Sequence, residues 1–161
     1  MIMLSNKEVA QLYPFEWQLK ENIVYCDYLE HLLLHVLICK YPSDDKADFI
    51  YAGIGGVVNF IVPELNDLYS GWNTKQVWRK NCHDRVLADK KVYLAILKQF
   101  IDIEEATPNF DVDILCHSFN QRYGLWNDRK NKKLYTEIRR LGIKKQKSWI
   151  KRFLNFLLQM V

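Results

Sequence analysis

The sequence predicts an all-α, single-domain bundle of about six or seven helices spanning residues 1–161. Three observations carry that prediction. Only 6 Gly and 4 Pro occur in 161 residues, too little turn chemistry for a fold of many short strands. Apolar residues recur at steps of three and four over long stretches, the period of a helix face. Apolar residues make up 49% and charged residues 26%, a balance that supports a core without disulfides or metal staples.

Taken in order, Ser5 and Glu8 form a capping box that starts a short helix ending near Tyr13. Pro14 suits the first position of a second helix, expected from about Phe15 to Lys40. Trp17, Ile23, Val24, Leu29, Leu32, Leu33, Val36 and Leu37 give it one apolar face, and Leu34 and Ile38 a second. A helix apolar nearly all round belongs at the centre of a bundle. Tyr41-Pro42-Ser43 stops it. Ser43 or Asp44 can cap a third helix through Tyr51, and Gly53, Gly55 and Gly56 are expected to interrupt it. Segment 57–62 has β-branched residues but no partner strand, so helix is preferred, with Pro63 as a kink or a new start. Asn73 or Thr74 can cap a long helix to about Ile101. An acidic connector, 102–113, follows, then a helix with Ile114, Leu115 and Phe119 inward. Asn127 or Asp128 can cap a basic helix to Leu141, with Gly142 as its stop. A last helix carries Trp149, Ile150, Phe153, Leu154 and Leu157 on one side. The single Gly-rich stretch, Gly53-Ile54-Gly55-Gly56, lacks the Lys and Ser/Thr of a phosphate cradle.

Charge is segregated. Segment 129–152 holds eleven of the 23 basic residues against one acid, Glu137, while residues 1–128 hold 12 basic and 18 acidic residues. The chain therefore sums to +4 from a basic last quarter and an acidic remainder, which suggests two different faces. Cys26, Cys39, Cys82 and Cys116 form no Cys-x-x-Cys pair. The first residues lack a basic region and an apolar run, so no signal peptide is expected, and the chain is read as cytoplasmic with free thiols.

Metal ligation is not expected, and neither is any cofactor. His31, His35 and Cys39 share a helix face, but His31 and Cys39 would lie about 12 Å apart at ~1.5 Å rise per residue. The dipeptides Cys82-His83 and Cys116-His117 point in diverging directions. A helix–turn–helix could run from Leu134 to Phe153 with Gly142 in the turn, giving a basic DNA-binding protein. Ser148 and Lys151, however, stand where that motif needs apolar residues.

Arg79 and His83 are four apart near a helix start, on one face. The pair resembles the active-site motif of the HEPN superfamily of helical ribonucleases, although Lys80, Asn81 and Cys82 make a shorter spacing than that family's. The resemblance implies a ribonuclease in which Arg79 and His83 activate a ribose 2′-hydroxyl and stabilise the phosphate.

A second pattern is acidic. Asp102, Glu104, Glu105, Asp111 and Asp113 cluster around Phe110, and Asp44, Asp45 and Asp48 form a second knot. Such carboxylates could imitate a phosphate backbone and pair with the Lys/Arg of a nuclease cleft, with Phe110 or Trp72 as an aromatic anchor. With no complete catalytic motif, the whole chain is similar in size, class and charge layout to the immunity proteins of bacterial contact-dependent growth inhibition systems. That resemblance implies a non-enzymatic protein that occludes one cognate toxin domain. No membrane is expected as a partner, and the acidic remainder argues against nucleic acid. The sequence leaves oligomeric state open.

Overall fold

The computed structural model describes residues 14–42, 53–122 and 129–142, with the backbone alone for Trp17 and Gln18. The described residues are helical with no strand, so the all-α expectation holds. The helices are α1 (Tyr28–Lys40), α2 (Val62–Tyr69), α3 (Val77–Val86), α4 (Lys90–Glu104), α5 (Phe119–Arg122) and α6 (residues 129–142). The expected helices over 5–13, 43–51 and 149–157, the second acidic knot, and most of the helix–turn–helix segment lie outside the described residues.

Helix α1 begins later than the apolar pattern implies. Two 3-10 turns, Phe15–Gln18 and Lys20–Asn22, precede an extended segment 23–27. The cause is a capping box at Asp27. Its carboxylate accepts from the N–H groups of Leu29 and Glu30, while Glu30 accepts from the Asp27 N–H at 2.8 Å. This satisfies donors that a helix start would leave open. At the other end Tyr41 closes α1 with its N–H on Leu37 O, and Pro42 follows, as expected. The helix buries Leu29, Leu32 and Val36 but leaves Leu33, Leu34 and Leu37 exposed. It is one-faced, not the all-round buried helix that its composition suggests.

The glycines do not interrupt. Residues 53–56 are helical and run on through a π turn, Val57–Ile61, into α2. Segment 57–62 is thus helix, not strand. The π turn answers Pro63, which has no N–H to donate and whose ring crowds the carbonyl one turn back. The Val62 N–H reaches back five residues to Val57 O, so the turn widens where the proline enters. Gly53 and Gly56 serve close packing. A Cβ at Gly53 would lie 2.9 Å from Cys39 Sγ, and one at Gly56 only 2.1 Å from His35 Cε1. His35 is itself paired with His31, Nε2 to Nε2 at 3.1 Å. Gly56→Ala therefore sets a helix-propensity gain of up to about 1 kcal/mol against overpacking of about 1–3 kcal/mol. A net loss in urea unfolding is expected, and adding His35→Ala should reverse its sign.

The expected long helix 74–101 is two helices. Neither Asn73 nor Thr74 is the cap: the first helix starts after Gln76 with no side-chain cap, and Thr74 Oγ1 accepts from Gln76 N at 3.2 Å in the preceding turn. The break after Val86 has a named partner: the Tyr69 hydroxyl donates to Val86 O at 2.7 Å, and Asp89 N donates to the same carbonyl at 3.0 Å. With that acceptor engaged, the chain turns and α4 starts at Lys90. The helix expected after the acidic connector is also divided, into a 3-10 turn at Val112–Leu115 and the short α5. Leu115 is buried, Ile114 is exposed and Phe119 half-buried. Asn109 takes a positive φ of 64° in the connecting turn, a conformation asparagine tolerates better than most residues.

Helix α4 lies against α1, and α1 also meets the π turn and α3. Their shared core includes Leu32, Val36, Val57, Leu65, Tyr93, Leu97 and Phe100, joined from α6 by Leu134 and Ile138. None of the four cysteines is disulfide-bonded. Among the described residues no helix is long and apolar enough to cross a membrane.

Candidate functional site

Helix α2 is apolar except for Glu64, Asn66 and Asp67, and all three are buried. Polar groups this deep require partners, and each has them. Glu64 and Asp67 stand three apart on α2, so they share a face. Opposite them, Arg79 and His83 stand four apart on α3. The Arg79 guanidinium grips both Glu64 oxygens through Nε and Nη2, and Nη2 reaches Asp67 Oδ2 at 3.0 Å. His83 Nε2 lies 2.6 Å from Glu64 Oε1, and the Tyr28 hydroxyl donates to the same oxygen at 3.5 Å. Asp67 Oδ1 accepts from the Asn120 N–H at 2.9 Å and from its side-chain amide at 2.6 Å. Asn120 Oδ1 accepts in turn from Asn131 Nδ2 at 2.8 Å. Asn66 donates to Leu115 O at 2.9 Å and His117 O at 2.6 Å, and accepts from the Tyr93 hydroxyl at 2.7 Å. The polar face of α2 therefore ties α3, α4, α5 and α6 together.

The cluster borders an open cavity of about 300 Å³, lined by Glu64, Asp67, Trp72, Gln76, Trp78, Arg79, Phe119 and Asn120. Arg79 lies over the Trp72 ring, 4.9 Å from its centroid, and 6.0 Å from that of Phe119. Trp78 stands exposed at the rim. A guanidinium carries five N–H donors. Glu64 and Asp67 engage Nε and Nη2, and Nη1 has no hydrogen-bond partner among the described residues. His83 sits behind Glu64, almost fully covered, and does not line the cavity.

The two carboxyls are pushed apart. Burial would raise Glu64, but the hydrogen bonds of His83 and Arg79 and the Arg79 charge outweigh it and hold it below its ordinary value. Burial raises Asp67 to about 6 against the opposing pull of Asn120 and Arg79. For Arg79, burial acts to lower the pKa, but Glu64 and Asp67 prevail and it is raised. Burial and the Glu64 charge push the Tyr28 hydroxyl well up, so it stays a donor. Pairs of acids separated in this way mark sites where one group accepts a proton and another supplies one.

The shifts carry a stability signature. Asp67 binds its proton more tightly folded than unfolded, so its contribution is complete below its ordinary value of 3.8 and is lost as pH rises through about 6. Glu64 has the opposite sign: its contribution is present above its ordinary value of 4.5 and lost as pH falls through its lowered one. Urea unfolding of wild type and Asp67→Asn between pH 4 and 7.5 isolates the first effect. The stability advantage of wild type over the variant should shrink from pH 4 to about 6 and then level off. A difference independent of pH would show that Asp67 titrates normally.

The acidic connector is less open than its composition implies. Glu104 is buried, and Thr107 Oγ1 donates to it at 3.2 Å. Phe110 is half-buried against Phe100, edge to face at 6.1 Å, so it is no free anchor. Asp102 pairs with Lys98, Asp113 with Arg139, and Asp111 accepts from the Asp113 N–H to open a 3-10 turn. Asp102, Glu105, Asp111 and Asp113 remain exposed. Trp72, the other aromatic considered as an anchor, belongs to the Arg79 cavity. Asp44, Asp45 and Asp48 lie outside the described residues. Among the described residues, no group of three or more His, Cys, Asp or Glu side chains is placed to share a metal ion.

Sequence reasoning isolated Arg79 and His83 but not Glu64, Asp67 or Asn120. The available signal was the run 57–68, a largely apolar stretch whose only charges are Glu64 and Asp67.

The fold and site define an all-α domain with a buried ionic cluster at the edge of an aromatic cavity. No family model, curated protein or solved structure matches the chain.

Proposed function

We propose that this protein is a metal-independent ribonuclease acting at the Arg79 cavity. The observation that carries the reading is the convergence of Arg79 and His83 on Glu64, beside Asp67, at a cavity walled by Trp72, Trp78 and Phe119. Arg79 Nη1 would bind a phosphate oxygen and stabilise the charge that builds on it. The 2′-hydroxyl gives its proton to Glu64, which His83 holds in place from behind at 2.6 Å. Oxygen O2′ bonds to phosphorus, the P–O5′ bond breaks, and O5′ takes a proton from Asp67. A 2′,3′-cyclic phosphate and a free 5′-hydroxyl result. A flanking base stacks on the aromatic rim, a contact worth about 1–3 kcal/mol.

The sign of the pH dependence follows from Asp67. With Arg79 positive and Glu64 negative, an ionised Asp67 leaves the three residues with one net negative charge, which repels phosphate. Protonation near its value of about 6 removes that repulsion and loads the acid. Cleavage of single-stranded RNA in EDTA should therefore rise as pH falls from 8 toward 6. It should drop by about 10²–10³-fold in Arg79→Lys, whose point-charge ammonium cannot reproduce the planar fork. No cleavage by wild type at any pH from 5 to 8 would refute the reading.

A second reading, an immunity protein that occludes a toxin nuclease, draws support from the exposed carboxylates Asp102, Glu105, Asp111 and Asp113 near the end of α4. It requires that the pure chain cleave nothing and form a stoichiometric complex with a basic nuclease domain. That complex should weaken when Glu105 and Asp111 are changed to lysine.

A further inference from the structure

We infer that a second cavity, beside α6, is a subsite for the backbone phosphate of an RNA strand; this deepens the ribonuclease reading and rests on it. The cavity measures about 250 Å³, and its lining includes Lys90, Lys130, Lys133, Glu137 and Gly71. Lys90 pairs with Glu137 at 2.8 Å, and Lys133 adds an exposed ammonium to the lining beside that pair. These residues place the start of the basic last quarter in space. Lys130, Lys133 and Glu137 lie at steps of three and four on α6, one helix face turned to the cavity.

The position of this cavity connects it to the Arg79 site. A single turn after α2 contributes Ser70 and Gly71 to the lysine cavity and Trp72 to the Arg79 cavity. The turn is pinned by Gly71 N on Leu68 O at 2.9 Å and Trp72 N on Asp67 O at 3.0 Å. Gly71 has a positive φ of 88°, and a Cβ built there would meet nothing within 4 Å, so the turn carries no side chain at this point and open space lies beside it. A ligand small enough for one cavity leaves the other unused. A strand with successive phosphates crosses the turn, placing one phosphate at Arg79 and another among the lysines. Lysine ammoniums suit this task, since they act as point charges that position a backbone without reading bases.

The test is binding of a fluorescein-labelled 12-nucleotide 2′-O-methyl RNA, which lacks the attacking hydroxyl, to the full chain at several salt concentrations. Lys133→Glu should weaken binding about 10-fold and lower the salt slope by ~0.7, one phosphate's share for a single strand. Lys132→Glu makes the same charge change on the same helix outside the cavity, and should alter affinity by less than about threefold. Glu137→Gln, which releases Lys90, should tighten binding. Equal effects at Lys132 and Lys133, or no binding by wild type, would overturn the subsite. Thermal unfolding of each variant confirms that the fold is kept. Because binding is read without cleavage, the two proposals fail separately. An inactive protein whose binding depends on Lys133 refutes only the nuclease. An active one whose binding ignores Lys133 refutes only the subsite.

Discussion

Replacing Glu64 by alanine should cost about 3–5 kcal/mol of folding stability, the range for stranding one side of a buried ion pair. The side chain serves three donors at once: Arg79, His83 and Tyr28. Without it His83 Nε2, almost fully covered, loses the carboxylate that satisfies it, and Arg79 keeps Asp67 as its one carboxylate partner among the described residues. Most of the cost is the burial of partners left unpaired, not the intrinsic strength of the pair. Two further variants separate these contributions. Glu64→Gln keeps the volume and one acceptor oxygen, so its loss should be smaller. Arg79→Met in the alanine background removes the stranded charge and should recover part of the stability, giving a coupling energy in a double-mutant cycle. Urea unfolding at pH 7 measures all of these. A loss below about 1 kcal/mol in Glu64→Ala would place the cluster in easy reach of water and contradict the structure.

Phe100→Ala should be comparably damaging, about 3–5 kcal/mol. Phe100 is fully buried on α4, the helix that packs on α1. It also carries Phe110 edge-on, so the loss extends beyond its own cavity to the anchorage of the connector. Phe110→Ala, which removes a half-buried ring, should cost less. Leu34→Ala on the exposed face of α1, where the leucine is 51% exposed, should cost under about 1 kcal/mol by the area it buries. The ordering Phe100, Phe110, Leu34 in urea midpoints checks the depth at which each side chain is placed.

The two helices differ in how much of them the sequence reveals. The all-α class and the stop at Tyr41-Pro42 follow from periodicity and turn chemistry, which are local, whereas helix at 57–62 is preferred only because the rest of the chain offers no partner strand. The start of α1 is local too, in Asp27 and Glu30, but the apolar run on both sides conceals it. Which face of α1 is buried depends on where α4 lies, and no pattern within α1 contains that. The glycines at 53 and 56 read as breakers because their use, close approach to Cys39 and His35, is made by another helix. The end of α3 is fixed by a hydroxyl from Tyr69, again at a distance along the chain.

The site shows the same division. Arg79 and His83 can be paired from spacing alone, since four residues set them on one face. Their carboxylates come from a different helix, and Asn120 from a third, so only the oddity of Glu64 and Asp67 within an apolar run points to them. The acidic connector illustrates the converse. Composition suggests one exposed anionic surface, whereas Glu104 turns inward and Asp102 and Asp113 find bases at Lys98 and Arg139.

The central claim, strand cleavage by a ribose hydroxyl at the Arg79 cavity, is tested most directly by an oligodeoxynucleotide carrying a single ribonucleotide. Incubated with the full chain in EDTA near pH 6, it should be cut once, on the 3′ side of that ribose, leaving a 2′,3′-cyclic phosphate. The all-deoxy strand should remain intact. No cut at the ribose, or equal cutting of both strands, would contradict the account.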